Sequence, residues 1–161
     1  MQKRRPVMLA ILDGWGWRED PADNAVRQAD TPNFDRLWTT GPHAFLHTSG
    51  LDVGLPGGQM GNSEVGHFNI GAGRVVMQDL PRINEAIASG SIKSAEAFRS
   101  LIQALKQSGG TCHLIGLVSP GGVHSHQDQA AALAVILAES GVPAVVHALT
   151  DGRDTPPKSA A

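Results

Sequence analysis

The run from Gly57 to Arg74 constrains the fold more than any other stretch, because it packs six glycines around one serine, Ser63, and one histidine, His67. Glycines let a backbone approach an anion closely, while the hydroxyl and the imidazole remain beside it. The run therefore reads as a phosphate-handling serine site. A P-loop would need glycine where Pro56 stands and lysine where Asn62 stands. A hydrolase nucleophile elbow would need glycine at the position of Val65.

A serine hydroxyl is a poor nucleophile near neutral pH, and Ser63 has no lysine or histidine immediately adjacent in sequence. Either a general base brought in by the fold or a divalent metal on the oxygen must activate it. A carboxylate for the second route stands at Asp13, after the apolar run Val7 to Leu12. That run has the length of a fully buried strand, and ligands of open α/β sheets bind beyond the carboxyl ends of strands. Each site residue also has a plainer reading. Ser63 suits a helix N-cap, and Asp13 suits a turn before Gly14. His124 and His126 could form a metal pair or cap local backbone groups. Arg153 could pair with Asp151 or Asp154 at the surface, or grip a phosphate or carboxylate bidentately.

Periodicity predicts a strand at Val7–Leu12, a helix at Pro32–Trp38 capped by Thr31, an extended stretch at His43–Thr48 and a helix beginning near Ser63. Beyond Arg74 the pattern becomes helix Leu80–Ala88, helix Ala95–Gln107, strand Cys112–Val118, helix Asp128–Glu139 and strand Val142–Leu149. This is a βαβ unit with a parallel sheet. Its strands end at the loops Ser119–His124 and Thr150–Asp154, so both loops are expected at one edge of the sheet, sharing one concave site. Trp15 and Trp17 read as packing anchors.

Composition narrows the partners. Thirteen basic and fifteen acidic residues, formal charge -2, leave no electrostatic footprint for nucleic acid or an anionic membrane. The lone cysteine, Cys112, permits no intrachain disulfide, in keeping with a reducing cytoplasm. No apolar span is long enough to cross a bilayer, and the basic start is followed too soon by Asp13 for a signal peptide.

Five blocks in order, Leu12 to Gly16, Thr31 to Asn33, Met60 to Arg74, Gly121 to His126 and Asp151 to Pro157, resemble the cofactor-independent (2,3-bisphosphoglycerate-independent) phosphoglycerate mutases of the alkaline-phosphatase-like superfamily. The resemblance spans nearly the whole chain. It implies that Ser63 becomes phosphorylated, that Asp13 and Ser63 bind one of two Mn²⁺ ions, and that His124, Arg153 and Asp154 contact the substrate. By the same resemblance 3-phosphoglycerate gives its phosphate to Ser63, the retained glycerate turns, and the phosphate returns to give 2-phosphoglycerate, without added bisphosphoglycerate. The implied architecture is an alkaline-phosphatase-like parallel sheet, its N-terminal part in residues 1–76, with an inserted α/β transferase domain begun by residues 77–161. The implied complete enzyme is a cytoplasmic monomer acting on a small molecule.

Two departures accompany the match. Gln129 stands where histidine is expected, and the family's chain continues well past Ala161 with further aspartate, histidine, arginine and lysine residues of the site. Asp154 to Ala161 also reads as a helix start without its helix. The expectation is an N-terminal fragment with little activity alone and exposed apolar faces in its first 75 or so residues. Competing readings are a non-catalytic or split-enzyme fragment, and a phosphatase of the same superfamily. The loops at His124 and Arg153–Asp154 argue against the phosphatase, which needs no grip on the leaving alcohol.

Overall fold

The structure is a computed structural model and describes residues 5–159. Its elements run α1 (Ala25–Gln28), α2 (Pro32–Thr40), a 3-10 turn (Gly50–Val53), α3 (Ser63–Ala72), α4 (Asp79–Ala88), a 3-10 turn (Ser91–Ser94), α5 (Glu96–Ser108), β1 (Cys112–Val118), α6 (Gln127–Glu139) and β2 (Ala144–Thr150). Among the described residues no helix is long and apolar enough to cross a membrane.

The second half is organised by β1 and β2, which pair in parallel from Cys112↔Ala144 to Val118↔Thr150. A parallel pair needs a crossover, and α6 supplies it. Side chains alternate across a strand, so Cys112, Leu114 and Ala144 share one face. That face packs on Phe98, Ile102 and Leu105 of α5, with Leu137 of α6 and Val142 completing the cluster. Leu137 is 0% exposed and is its most deeply buried large side chain. The opposite face remains open, with Ile115 72% and Leu149 59% exposed. There His113 Nδ1 lies 2.8 Å from His147 Nε2.

The sheet begins later than the sequence suggests at its second strand. Val142 belongs to the turn before β2, its N–H donating to Leu137 O at 2.9 Å, and Pro143 has no N–H to offer a ladder. Gln129, the residue that departs from the histidine expected there, spans two helices: its Nε2 donates to Asn84 Oδ1 at 2.8 Å and to Leu80 O at 3.4 Å.

The first half has a separate, smaller core of Val53, Leu55 and Val65. Asn69 of α3 stitches this core to the chain that leaves it. Its Nδ2 donates to Val53 O at 3.0 Å and its Oδ1 accepts Val76 N–H at 2.8 Å. Aromatic rings gather on α2, where Trp17 stacks on Trp38 at 4.4 Å and Trp15 meets Phe34 at 5.0 Å.

The strand expected at Val7–Leu12 does not form, and those residues have no regular structure. An apolar run becomes a strand only when a neighbouring edge takes up its N–H and C=O groups, and no described segment lies beside this one as a strand. Its side chains are correspondingly open, Val7 at 95% and Met8 at 90% exposed. His43–Thr48 is likewise without a ladder. At the other end, the helix expected after Asp154 is a single turn in which Ser159 N–H donates to Pro156 O at 3.2 Å. Ala160 and Ala161, the last residues of that expected helix, lie outside the described residues.

Removing the side chain at the centre of the larger cluster should cost heavily, because the surrounding atoms close such a cavity only in part. Leu137→Ala is expected to lower the unfolding free energy by about 2–5 kcal/mol, read from the urea midpoint at unchanged slope.

Candidate functional site

Ser63 is the first residue of α3, and the N-cap is Asn62, whose Oδ1 accepts Val65 N–H at 3.0 Å. The capping role that serine could have taken is therefore filled by its neighbour. The freed hydroxyl donates instead to Asp13 Oδ2 at 2.6 Å, across fifty positions of sequence. Asp13 is held for this contact by a turn in which Trp15 N–H donates to Leu12 O at 3.0 Å. Its turn reading and its partnership with Ser63 are thus compatible.

His67, one turn further along α3, does not serve as a base for Ser63 in this arrangement. Its Nδ1 lies 2.8 Å from Ser63 O and 3.3 Å from Ser63 Oγ. A carbonyl oxygen only accepts, so the shorter contact puts the proton on Nδ1, and a protonated nitrogen cannot take the serine proton. Asp13 is the acceptor that remains.

The glycine before the cap has a steric reason. A Cβ on Gly61 would lie 1.8 Å from Thr48 O, so only glycine lets the 48–49 backbone pass beside the start of α3. Asp13, Gly61, Asn62 and Ser63 line an open cleft of ≈ 790 Å³. That is roomy enough for a small phosphorylated molecule, since ligand sites run to about 300–1,000 Å³. The backbone amides at the start of α3 and the positive end of its dipole favour negative charge there.

Asp13 and Ser63 offer hard oxygen donors of the kind that Mn²⁺ or Mg²⁺ accepts. They match such an ion in type and not in number. Among the described residues no group of three or more His, Cys, Asp or Glu side chains is placed to hold a metal.

A second cluster lies at the carboxyl ends of β1 and β2. His124 Nδ1 approaches Asp154 Oδ2 at 2.7 Å, and the Asp154 side chain is only 12% exposed. His126 is engaged separately: it is the N-cap of α6, its Nδ1 accepting Asp128 N–H at 3.2 Å. The two histidines thus do not act as a metal pair here. Arg153 is exposed and its N–H donates to Asp151 Oδ1 at 2.8 Å; among the described residues its guanidinium forms no ion pair with either flanking carboxylate.

Two further residues of this cluster, Ser119 and Asp151, were placed in the loops by the sequence but assigned no role in the site. Ser119, 1% exposed, donates its Oγ to Asp151 Oδ2 at 2.6 Å. Asp151 Oδ1 accepts the amides of Arg153 at 2.8 Å and Asp154 at 3.0 Å. The Ser119 hydroxyl is the main reason the Asp151 carboxyl is drawn down from 3.8 to about 2, with the two amides next and the nearby His124 last. The hint in sequence was positional, since each follows directly the last paired residue of its strand.

The two loops expected at one edge of the sheet do meet there, through the 2.7 Å His124–Asp154 contact, and they stand apart from the Asp13–Ser63 cleft. The cleft at Asp13 and Ser63 is lined by residues from Ile11 to Ser63 and includes none of His124, Arg153 or Asp154.

Residues 83–161 match the family model for the BPG-independent PGAM N-terminus. The 2,3-bisphosphoglycerate-independent phosphoglycerate mutase of Rhodopseudomonas palustris is 76% identical over 160 residues, covering 99% of this chain and 32% of that protein. The enzyme of the same description from Gluconobacter oxydans is 67% identical over 155 residues, 96% of this chain and 30% of its own length. A crystal structure of Leishmania mexicana phosphoglycerate mutase at low cobalt concentration is 43% identical, with a TM-score of 0.63 over 84% of this chain and 26% of that one. The chain thus spans about a third of the length of the curated relatives it matches.

The depressed Asp151 carboxyl sets a pH dependence. Its folded pKa, about 2, lies below the unfolded value near 3.8, so its contribution to stability is complete above about pH 4 and is lost as pH falls through about 2. The Asp151 side-chain ¹³C resonance is expected to titrate near 2 in the native protein and to move toward 3.8 in Ser119→Ala.

Proposed function

We propose, for a chain whose kinship with the N-terminal portion of the BPG-independent phosphoglycerate mutase family extends over nearly its whole length, that Ser63 is the phosphoryl-accepting residue of a phosphoglycerate mutase. The observation that carries this reading is the 2.6 Å hydrogen bond from Ser63 Oγ to Asp13, at the first position of a helix capped by another residue.

The chemistry follows from what each side chain can do. Asp13 draws the hydroxyl proton and leaves a serine lone pair facing the cleft. Ser63 Oγ takes the phosphoryl group of 3-phosphoglycerate, and the departing glycerate oxygen receives a proton. The amides at the start of α3 share the negative charge. Glycerate is retained: the Arg153 guanidinium, free of its neighbouring carboxylates, suits bidentate capture of a carboxylate or phosphate, and the His124–Asp154 pair can exchange a proton with a glycerate hydroxyl. The phosphoryl group then passes to the other hydroxyl and Ser63 recovers its proton. No bond is formed to water, so the net change is an isomerisation to 2-phosphoglycerate.

Asp13 and Ser63 would contribute two oxygen ligands to a divalent ion, Mn²⁺ being our assignment, whose charge would favour the deprotonated serine and offset the phosphoryl charge. Such ions take about six ligands, so waters, substrate phosphate oxygens or further donors would complete the set. The two separate cores support a division into residues 1–76, the start of an alkaline-phosphatase-like metal-binding domain, and residues 77–161, the start of an inserted transferase domain. We further assign the protein to the cytoplasm as a monomer.

Turnover of 3-phosphoglycerate without added bisphosphoglycerate tests the reading. The 161-residue chain alone is expected to give at most a trace, and addition of the remaining segment of the Rhodopseudomonas palustris relative in trans is expected to restore activity. In that restored system Ser63→Ala should cost at least about a thousandfold in kcat. Restored turnover that survives Ser63→Ala would overturn the assignment, and phosphate release exceeding isomerised product would favour a phosphatase.

A further inference from the structure

The register of the two strands leads to residues that the proposed chemistry does not use. The ladder closes at Val118↔Thr150, so the next residues, Ser119 and Asp151, leave the sheet side by side. Ser119 is fully committed there. Its Oγ donates to Asp151 Oδ2 at 2.6 Å and accepts Gly121 N–H at 3.0 Å, while its carbonyl accepts Gln127 N–H at 2.8 Å at the start of α6. Asp151 is equally occupied, its other oxygen taking the amides of Arg153 and Asp154.

An aspartate that merely shaped its own turn would need only those two amides. The bond to Ser119 adds something a local turn cannot, namely a fixed relation between the loop that carries His124 and the loop that carries Arg153 and Asp154. The two loops also touch sterically. A Cβ on Gly121 would come within 3.0 Å of both Asp154 Cβ and Asp154 O, so the glycine lets the second loop close against the first. The product of this closure is the 2.7 Å contact between His124 and Asp154.

We infer that Ser119 and Asp151 are positioning residues that strap the two loops together and thereby set Arg153 and Asp154 for the substrate. The inference deepens the mutase reading and rests on it. A carboxylate suits the task because it accepts all three hydrogen bonds without donating any. Asparagine would turn an NH₂ toward the Ser119 oxygen, replacing the charge-assisted bond with a reversed, neutral one and leaving the buried hydroxyl proton without an acceptor. Burial adds to the effect: Ser119 is 1% exposed, so water cannot replace the lost partner.

The test uses the 161-residue chain with two readouts. The first is amide hydrogen exchange, read at Arg153 and Asp154 against the β1 amides as an internal control. Ser119→Ala and Asp151→Asn are each expected to speed exchange at the two loop amides by about tenfold or more while β1 is unchanged. The second, with the chain completed in trans, is affinity for 3-phosphoglycerate, expected to weaken about tenfold in either variant. In an Arg153→Ala background Asp151→Asn should cost less than about threefold, since one of the two groups it places is gone.

Unchanged loop exchange in both variants overturns the strap. An equal affinity cost with and without Arg153 overturns its action through that residue. Should the wild-type chain completed in trans show no affinity for 3-phosphoglycerate, the substrate reading at these loops fails, and the exchange result still decides whether the strap exists. Asp151→Asn preserves volume, so the test stands if Ser119→Ala fails to fold.

Discussion

The in-register parallel ladder of β1 and β2 is the constraint on which the second half of the structure depends. Parallel strands cannot be joined by a tight turn, so their pairing forces a crossover, and α6 then covers the face that holds Cys112 and Leu114. The same geometry makes both strands end at one level. Two loops that are about thirty residues apart in sequence are thereby delivered together, and the hydrogen bond between Ser119 and Asp151 joins them where the sheet stops. Backbone pairing, burial and site geometry are successive consequences of one alignment.

The first half works by a different device. Here the helix start is the organiser: Asn62 satisfies the amide that a serine might otherwise have capped, leaving Ser63 free to bond Asp13. Gly61 permits the close passage of the backbone at Thr48, which shapes the cleft's wall. This arrangement rests on only a small core of Val53, Leu55 and Val65, and the Val7–Leu12 segment that carries Asp13 toward Ser63 is open to solvent.

Local patterns were legible to the extent that their causes are local. The Cys112–Val118 strand appears with the boundaries its apolar run suggests, and α4, α5 and α6 each begin within a residue of where periodicity places them. The position of Ser63 at a helix start was also readable. What serine does there was not, because asparagine and serine are near-equal caps and only the fold decides between adjacent candidates. Val7–Leu12 misled because an apolar run states a demand for a neighbour, which its own residues cannot supply. The roles of Ser119 and Asp151 stayed hidden for the related reason that their bond spans thirty-two positions and follows from register, a property of two strands together.

The central claim is that the oxygen held against Asp13 is the one that takes the phosphoryl group. It is tested most directly by incubating 3-phosphoglycerate with the chain completed in trans, quenching in acid, and locating any protein-bound phosphate by peptide mass spectrometry. The account predicts phosphate on Ser63 and a strong loss of that adduct in Asp13→Asn. Phosphate on another residue, or isomerised product formed at full rate with no phosphoserine detectable at any time, would contradict it.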